Sequence, residues 1–547
     1  MSEFFQNGPS LKNQFEDDQL LKSYIEEKIP ADIKKEIIYD LQRFGERVAG
    51  PVLAMARSAE SNPPRLVQFD AWGKRIDTVV VDSGWTDLHK VSAEENIVKL
   101  GYERKYKQYS RMIQFAKLYL FHPSSAFYSC PLAMTDGAAK LIELYGGPEL
   151  KKTFDHLTSG DPKEFWTSGQ WMTERSGGSD VSNTETIAKK INGEWQLFGT
   201  KWFTSAITSE MAMALARIED DQGNTVKGSR GLSLFYVEIK KADGSLNNIE
   251  VLRLKDKLGT KALPTAELRL IGTKAKLVGN IGEGVKQISS MFNVTRLYNS
   301  VTSIAAFRRI LVLAKDYSSK RRAFEKVIED HPLTSSLLHS ADADFHGCFH
   351  FTFLIAEIFG NEEVYAEKNN MDLNREELNK ILRMLTPVLK LYTAKRTVQW
   401  TSELLEVFGG AGYIEDSGIP VLYRDNQVFS IWEGTTNVLS LDLLRALKKD
   451  QSWPLLVSFL QKELIKVNLD HLKVEKDKAL VELNSMSAWI MTVYQQGDSA
   501  LEGSARDMAF RIGDLVSHVA WLRSLQSNKA EDKQESMLLS LFGRRRF

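Results

Sequence analysis

The spacing of apolar residues changes character twice along this chain. To about residue 165 they recur mostly three or four positions apart, which predicts helices with one buried face. Tyr102 to Tyr119 reads as one long helical stretch with its charges on one face. Pro63-Pro64 and Asp70-Ala71-Trp72-Gly73 interrupt this region with turn chemistry, and a short hairpin is expected around Ile76 to Val81. From about 168 to 285 the apolar runs shorten. Trp195 to Phe198, Leu232 to Val237 and Ala266 to Leu270 read as strands, and Asp220-Asp221-Gln222-Gly223-Asn224 reads as a turn between two of them. From 286 the helical period returns, with Leu297, Val301, Ile304, Leu311 and Ala314 on one face. It continues through 448–547, where Trp453, Leu455, Leu456, Phe459, Leu460, Trp489, Ile490, Val493 and Tyr494 are too apolar for a solvated tail. That last stretch is expected to pack on the preceding helices or on another subunit. The pattern alone supports the order helix, strands, helix, an α+β chain.

Composition adds limits. A chain of 547 residues predicts three or more structural units. Hydrophobic content of 43% and charged content of 26% suit a water-soluble globular protein. Lys plus Arg and Asp plus Glu both number 71, so no global field favours nucleic acid or acidic lipid. Two cysteines, Cys130 and Cys348, suit a reducing compartment. The opening Met1-Ser2-Glu3-Phe4-Phe5 is neither a secretory signal nor an Arg-rich transit peptide. The expected location is intracellular, cytoplasmic or mitochondrial, with no membrane span.

The chemistry concentrates in short motifs. Ile431-Trp432-Glu433-Gly434-Thr435-Thr436-Asn437 puts a carboxylate on a turn, beside small residues that let a ligand approach the backbone. Met172-Thr173-Glu174-Arg175-Ser176-Gly177-Gly178-Ser179-Asp180 is a glycine-rich turn, and Phe408-Gly409-Gly410-Ala411-Gly412-Tyr413 precedes Tyr423-Arg424-Asp425. Lys257-Leu258-Gly259 and Arg321-Arg322-Ala323-Phe324 lie between them. In this order and at this spacing, over about residues 90 to 447, the motifs resemble the acyl-CoA dehydrogenase family. Asn62-Pro63-Pro64-Arg65, Phe69 to Arg75, Gly199 to Ser205, Glu406 and the long C-terminal stretch resemble its AidB-like branch, which includes bacterial AidB and invertebrate long-chain enzymes.

The resemblance implies an N-terminal helical domain over 1–167, a β-barrel domain over 168–285, a four-helix bundle over 286–447 and a helical extension over 448–547. It implies an FAD-dependent dehydrogenase of medium- to long-chain fatty acyl-CoA. Glu433 matches the catalytic base. Met172, Thr173, Gly178 and Ser179 match positions along the flavin, and Ser179, Asn293, Arg296, Glu433 and Gly434 match the substrate side. Arg321, Phe324, Glu406, Gly409, Gly410, Trp432, Thr435 and Asn437 match further cofactor positions, several of them meeting a neighbouring subunit's flavin. A homotetramer and an electron-transferring flavoprotein as acceptor follow from the same likeness. Arg175 stands where the family usually has proline, which predicts a less rigid loop, and Glu325 replaces a usual glycine. In 199–205 a gapless match puts Phe203 and Ser205 at the flavin; a one-residue shift would use Trp202 and Thr204 instead. Alternation along a strand allows only one pair to face it, and the gapless match is preferred.

Other features carry less. His346 and His350 share a helix face, but no third carboxylate or cysteine has convincing spacing. A packing or capping role is expected there, and no metal. The alternative function is a binding protein on the same scaffold, holding DNA as AidB does or sequestering acyl-CoA. Residues 448–547 carry fifteen Lys plus Arg against thirteen Asp plus Glu, a weak balance for tracking phosphates. Arg544-Arg545-Arg546 is expected to be solvated, and DNA binding is not expected.

Overall fold

A computed structural model describes residues 7–365, 371–450, 452–528 and 533–546. Its elements follow the expected order of helices, strands and helices. The opening residues read for a targeting signal lie outside the described residues. No helix among the described residues is long and apolar enough to cross a membrane. The described residues form two compact units. One gathers those of 50–103 and 124–298, and the other those of 1–49, 104–123 and 299–547.

The first unit holds most of the strands. β1 (Arg65–Phe69) and β2 (Arg75–Val80) pair antiparallel, as the turn chemistry predicts. The Asp70 carboxylate accepts from the N–H groups of Trp72 and Lys74, each at 2.9 Å, and Gly73 takes φ +80°. Asp220 closes the later turn in the same way, accepting from Gln222 at 2.9 Å and Asn224 at 2.8 Å. The other strands of this unit are β3 (Ser168–Trp171), β4 (Ile187–Ile191), β5 (Glu194–Ser205), β6 (Met211–Ile218), β7 (Leu232–Glu238), β8 (Ile249–Leu254) and β9 (Thr265–Val278). β6 pairs with β4 and β7, β5 with β4 and β9, and β7 with β9, so the sheet closes on itself as a barrel. Trp171, Leu197, Phe235, Val237 and Leu268 fill its core, and Ala212, Ala214 and Ala216 keep the central strand thin enough to admit them. β9 runs well past the apolar stretch Ala266 to Leu270, because exposed Lys274 and Lys276 continue the alternation on the wet face.

The second unit is helical. The stretch Tyr102 to Tyr119 is not one helix. The chain leaves the helical region at Arg104 and Lys107, both at φ +51°, and α1 (Ser110–Phe121) begins afterwards. Nor do its charges face water, since every residue of α1 is buried. Arg111 pairs with Glu363 at 2.6 Å and Lys117 with Asp40 at 2.8 Å. Partners far away in sequence neutralise these cations, which local periodicity cannot show. α2 (Gly284–Lys320) buries Leu297, Val301, Ile304, Leu311 and Ala314, as expected. α3 (Pro332–Glu363) and α4 (Arg375–Glu406) follow, and a capping box between Asn374 and Glu377 starts α4.

The later helices are α5 (Thr436–Asp450), α6 (Ser452–Lys466), α7 (Lys473–Gln495), α8 (Asp498–Asn528) and α9 (Lys533–Arg546). α8 packs on α3, α4 and α5, and α9 packs on α3. Leu456, Phe459, Leu460, Ile490 and Val493 are buried, while Tyr494 is exposed. The arginine tail is not simply solvated. Arg546 reaches back to buried Asp344 at 2.7 Å and half-buried Asp514 at 2.9 Å, because α9 folds over α3 and α8 and brings its last turn to those acids.

Candidate functional site

In the barrel unit, the loop after β3 is held by a buried acid. The Glu174 carboxylate accepts from Lys201 Nζ at 2.7 Å, from the Thr186 hydroxyl, and from the N–H groups of Glu185 at 2.6 Å and Thr186 at 3.2 Å. Lys201 also donates to the Leu215 carbonyl at 2.8 Å. Burial alone would raise the Glu174 carboxyl; the Lys201 charge and these donors outweigh it and hold the group below its usual range. Reciprocal backbone bonds between Glu174 and Gly177 tighten the turn, and residues 175–180 are exposed. A side chain at Gly178 would come within 2.6 Å of the Thr173 hydroxyl, so glycine keeps that hydroxyl uncovered. The Arg175 guanidinium lies 5.1 Å from the Trp202 ring.

Strand β5 sorts its last residues by face. Thr204 is fully buried and its hydroxyl donates to the Ala266 carbonyl at 2.7 Å. Trp202 lies under Lys255, whose Nζ is 3.4 Å from the ring centroid. Phe203 is 52% exposed, and half-buried Ser205 bonds Thr265 at 3.2 Å. Lys257 knits the turn ahead of β9, donating to the carbonyls of Thr260 and Leu263 at 2.6 Å each. On α2, Asn293 and Arg296 are half-buried, with the Arg296 guanidinium 5.3 Å from the Phe292 ring.

In the helical unit, Glu433 occupies the turn just before α5. It has φ +55° and is followed by Gly434 at φ +101°. A left-handed non-glycine residue is uncommon and marks a strained turn here. Lys390, fully buried on α4, donates to the Gly434 carbonyl at 2.7 Å and holds the turn from beneath. A side chain at Gly434 would meet Leu439 at 2.9 Å. Trp432 is half-buried and Thr435 exposed.

The same unit carries the remaining motif residues. Half-buried Arg321 precedes a two-residue hairpin whose tip is Phe324, 91% exposed. Glu406 ends α4 in the open, and Gly409 and Gly410 follow with empty space where a side chain would stand. Exposed Asn437 accepts from Arg506 of α8 at 3.0 Å. Arg506 also lines a cavity of about 320 Å³ with Lys395, Arg396 and Phe510.

Two positioning groups were not legible as motifs. Lys201 lies inside the recognised strand, yet its pairing with Glu174 depends on the fold. For Lys390 the available signal is a lone cation among Leu385, Val388, Leu389 and Leu391 on a buried helix.

Three family models match in series. They are the Adaptive response protein AidB N-terminal domain over residues 8–160, the acyl-CoA dehydrogenase middle domain over 169–272, and the acyl-CoA dehydrogenase C-terminal domain over 282–448. Acyl-CoA dehydrogenase family member 11 of Caenorhabditis elegans is 42% identical over 528 residues, 95% of this chain and 83% of that protein. The putative acyl-CoA dehydrogenase AidB of Escherichia coli K12 is 31% identical, covering 73% of this chain and 71% of its own length. The crystal structure of C. elegans ACDH-11 in complex with C11-CoA superposes with a TM-score of 0.95 at 39% identity, covering 99% of this chain and 92% of that one.

Proposed function

Because this chain belongs to the acyl-CoA dehydrogenase family, whose enzymes depend on FAD, we propose that it dehydrogenates medium- to long-chain fatty acyl-CoA thioesters at the α,β bond with Glu433 as base. The observation that carries this reading is the Glu433-Gly434 turn, strained at φ +55° and anchored by buried Lys390. The C11-CoA bound by the C. elegans relative supports the substrate class.

A thioester acidifies its α-hydrogens, but water is too weak to remove one. Glu433 takes that proton onto its carboxylate, and the Glu433 backbone N–H polarises the thioester carbonyl. Lys390 keeps the turn from relaxing by holding the next carbonyl. The family resemblance assigns Ser179, Asn293, Arg296 and Gly434 each to substrate binding.

The residues present fit a flavin. The exposed 175–180 loop is braced from within by Glu174, Gly178 leaves the Thr173 hydroxyl uncovered, and Phe203 offers an exposed ring. FAD, when bound, supplies acceptance of the β-hydrogen as hydride. Met172, Thr173, Gly178, Ser179, Phe203 and Ser205 of the barrel unit would hold it, and the resemblance also assigns Trp432 and Thr435 to the cofactor. Thr204 would contribute backbone alone, since its hydroxyl is committed to Ala266. Arg321, Phe324, Glu406, Gly409, Gly410 and Asn437 would meet the flavin of a neighbouring copy in a homotetramer. A phenyl ring 91% exposed at a hairpin tip and an open diglycine each suit such a contact. An electron-transferring flavoprotein would reoxidise the enzyme.

Dye-linked turnover of Glu433→Gln tests the assignment. The variant is expected to keep FAD and acyl-CoA binding while losing at least about 10²-fold in rate. Turnover near that of the parent protein would remove Glu433 from the role of base.

A further inference from the structure

The fold supplies the third ligand that sequence spacing does not. His346 and His350 lie one turn apart on α3, and Glu535 of α9 arrives beside them from 185 positions further along. Gly347 makes that approach possible, since a side chain there would come within 2.6 Å of the Phe542 ring on α9. One nitrogen from each histidine and one Glu535 oxygen lie within 4.8 Å of one another.

One member of this cluster lacks hydrogen-bond partners among the described residues. Glu535 accepts from Trp521 Nε1 at 2.8 Å and sits 3.1 Å from His346 Nδ1. His350 is 4% exposed and stacks on Trp521 at 5.7 Å between ring centroids. Neither of its ring nitrogens has a hydrogen-bond partner among the described residues. A neutral imidazole carries one donor and one acceptor, so burying both unpaired is unusual. A cation beside His346 and Glu535 would take up the acceptor.

We propose that His346, His350 and Glu535 bind a divalent transition-metal ion of the zinc class, which clasps α9 onto α3. Two imidazoles and a carboxylate are a borderline-soft donor set suited to zinc, with water completing four-coordination. Donors about a tetrahedral ion with bonds of ~2.0 Å stand about 3.3 Å apart, so modest side-chain rotation closes the present spacing. The Trp521 indole N–H orients the carboxylate from behind, as outer hydrogen bonds do at metal sites. The site uses none of the residues assigned to dehydrogenation.

The test is metal content and uptake in the full-length holoprotein. Protein purified without chelator should contain about one zinc per chain by elemental analysis, in keeping with a single three-ligand site. After chelator dialysis it should take up Co²⁺ with a visible absorption band that Zn²⁺ displaces. His350→Ala and Glu535→Gln should each weaken Zn²⁺ binding about tenfold or more, while His471→Ala, exposed on another segment, should not. If His350→Ala fails to fold, Glu535→Gln and the cobalt titration of the parent protein decide the matter. Absence of zinc together with no cobalt band would overturn the proposal, as would binding that both variants leave unchanged.

Discussion

The proposed site leans on two single residues, Glu433 and Gly434. The left-handed turn costs of order 1–3 kcal/mol and persists because Lys390 holds the Gly434 carbonyl. Gly434→Ala adds a side chain where φ is +101° and Leu439 stands 2.9 Å away. It should lower turnover sharply and leave the melting temperature within a few degrees; unchanged turnover would show that the turn tolerates movement. At the end of β5, Ser205→Ala should perturb the flavin absorption spectrum. Thr204→Ala should instead lower stability by about 1 kcal/mol through the lost bond to Ala266. The reverse ranking would put Trp202 and Thr204 at the flavin. Glu433 could be proposed from the sequence because a turn acid beside glycine belongs to a recognisable motif. Lys390 was not, because its partner is a backbone carbonyl on another element.

At the scale of elements, the glycine-rich loop is anchored at Glu174 by its pair with Lys201, both members of which are buried. Removing one partner strands a buried charge, so Glu174→Gln should cost about 3–5 kcal/mol near neutral pH, read by denaturant unfolding. The Glu174 carboxyl lies below its ordinary range in the folded protein. Its contribution is therefore complete above the ordinary carboxylate range and is lost as pH falls through the depressed value. The gap between parent and variant should shrink in acid; a gap independent of pH would mean that the pair is not what holds the loop. Strands and most helices were readable from periodicity, since β7 and α2 each bury one continuous apolar pattern. The break at Arg104 to Lys107 was not. Arg111 and Lys117 looked solvated only because Glu363 and Asp40 are invisible to a local window. Glu535 was missed beside the two histidines for the same reason.

Across the whole molecule, the helices from 452 onward are integral to the helical unit. Arg523 of α8 binds Glu357 at 2.7 and 2.9 Å and Glu463 at 2.8 Å, all largely buried. Arg523→Met should destabilise by about 3–5 kcal/mol, and deletion of 452–547 should leave protein that is insoluble or altered in oligomeric state. A soluble, fully active truncation would contradict this. With its charge balanced and Arg546 turned inward, the chain should bind double-stranded DNA no better than about 10⁻⁶ M at physiological salt. Tight, salt-resistant binding would favour the DNA-binding alternative. Light scattering should report a tetramer that retains FAD, and Arg321→Ala should lose FAD while the protomer stays folded. The most direct measurement is an anaerobic titration of the assembled flavoprotein with long-chain acyl-CoA, following the visible flavin band in parent and Glu433→Gln proteins. The account predicts bleaching in the parent, and in the variant a ligand-induced spectral shift without bleaching. Equal bleaching in both, or none in the parent, would contradict it.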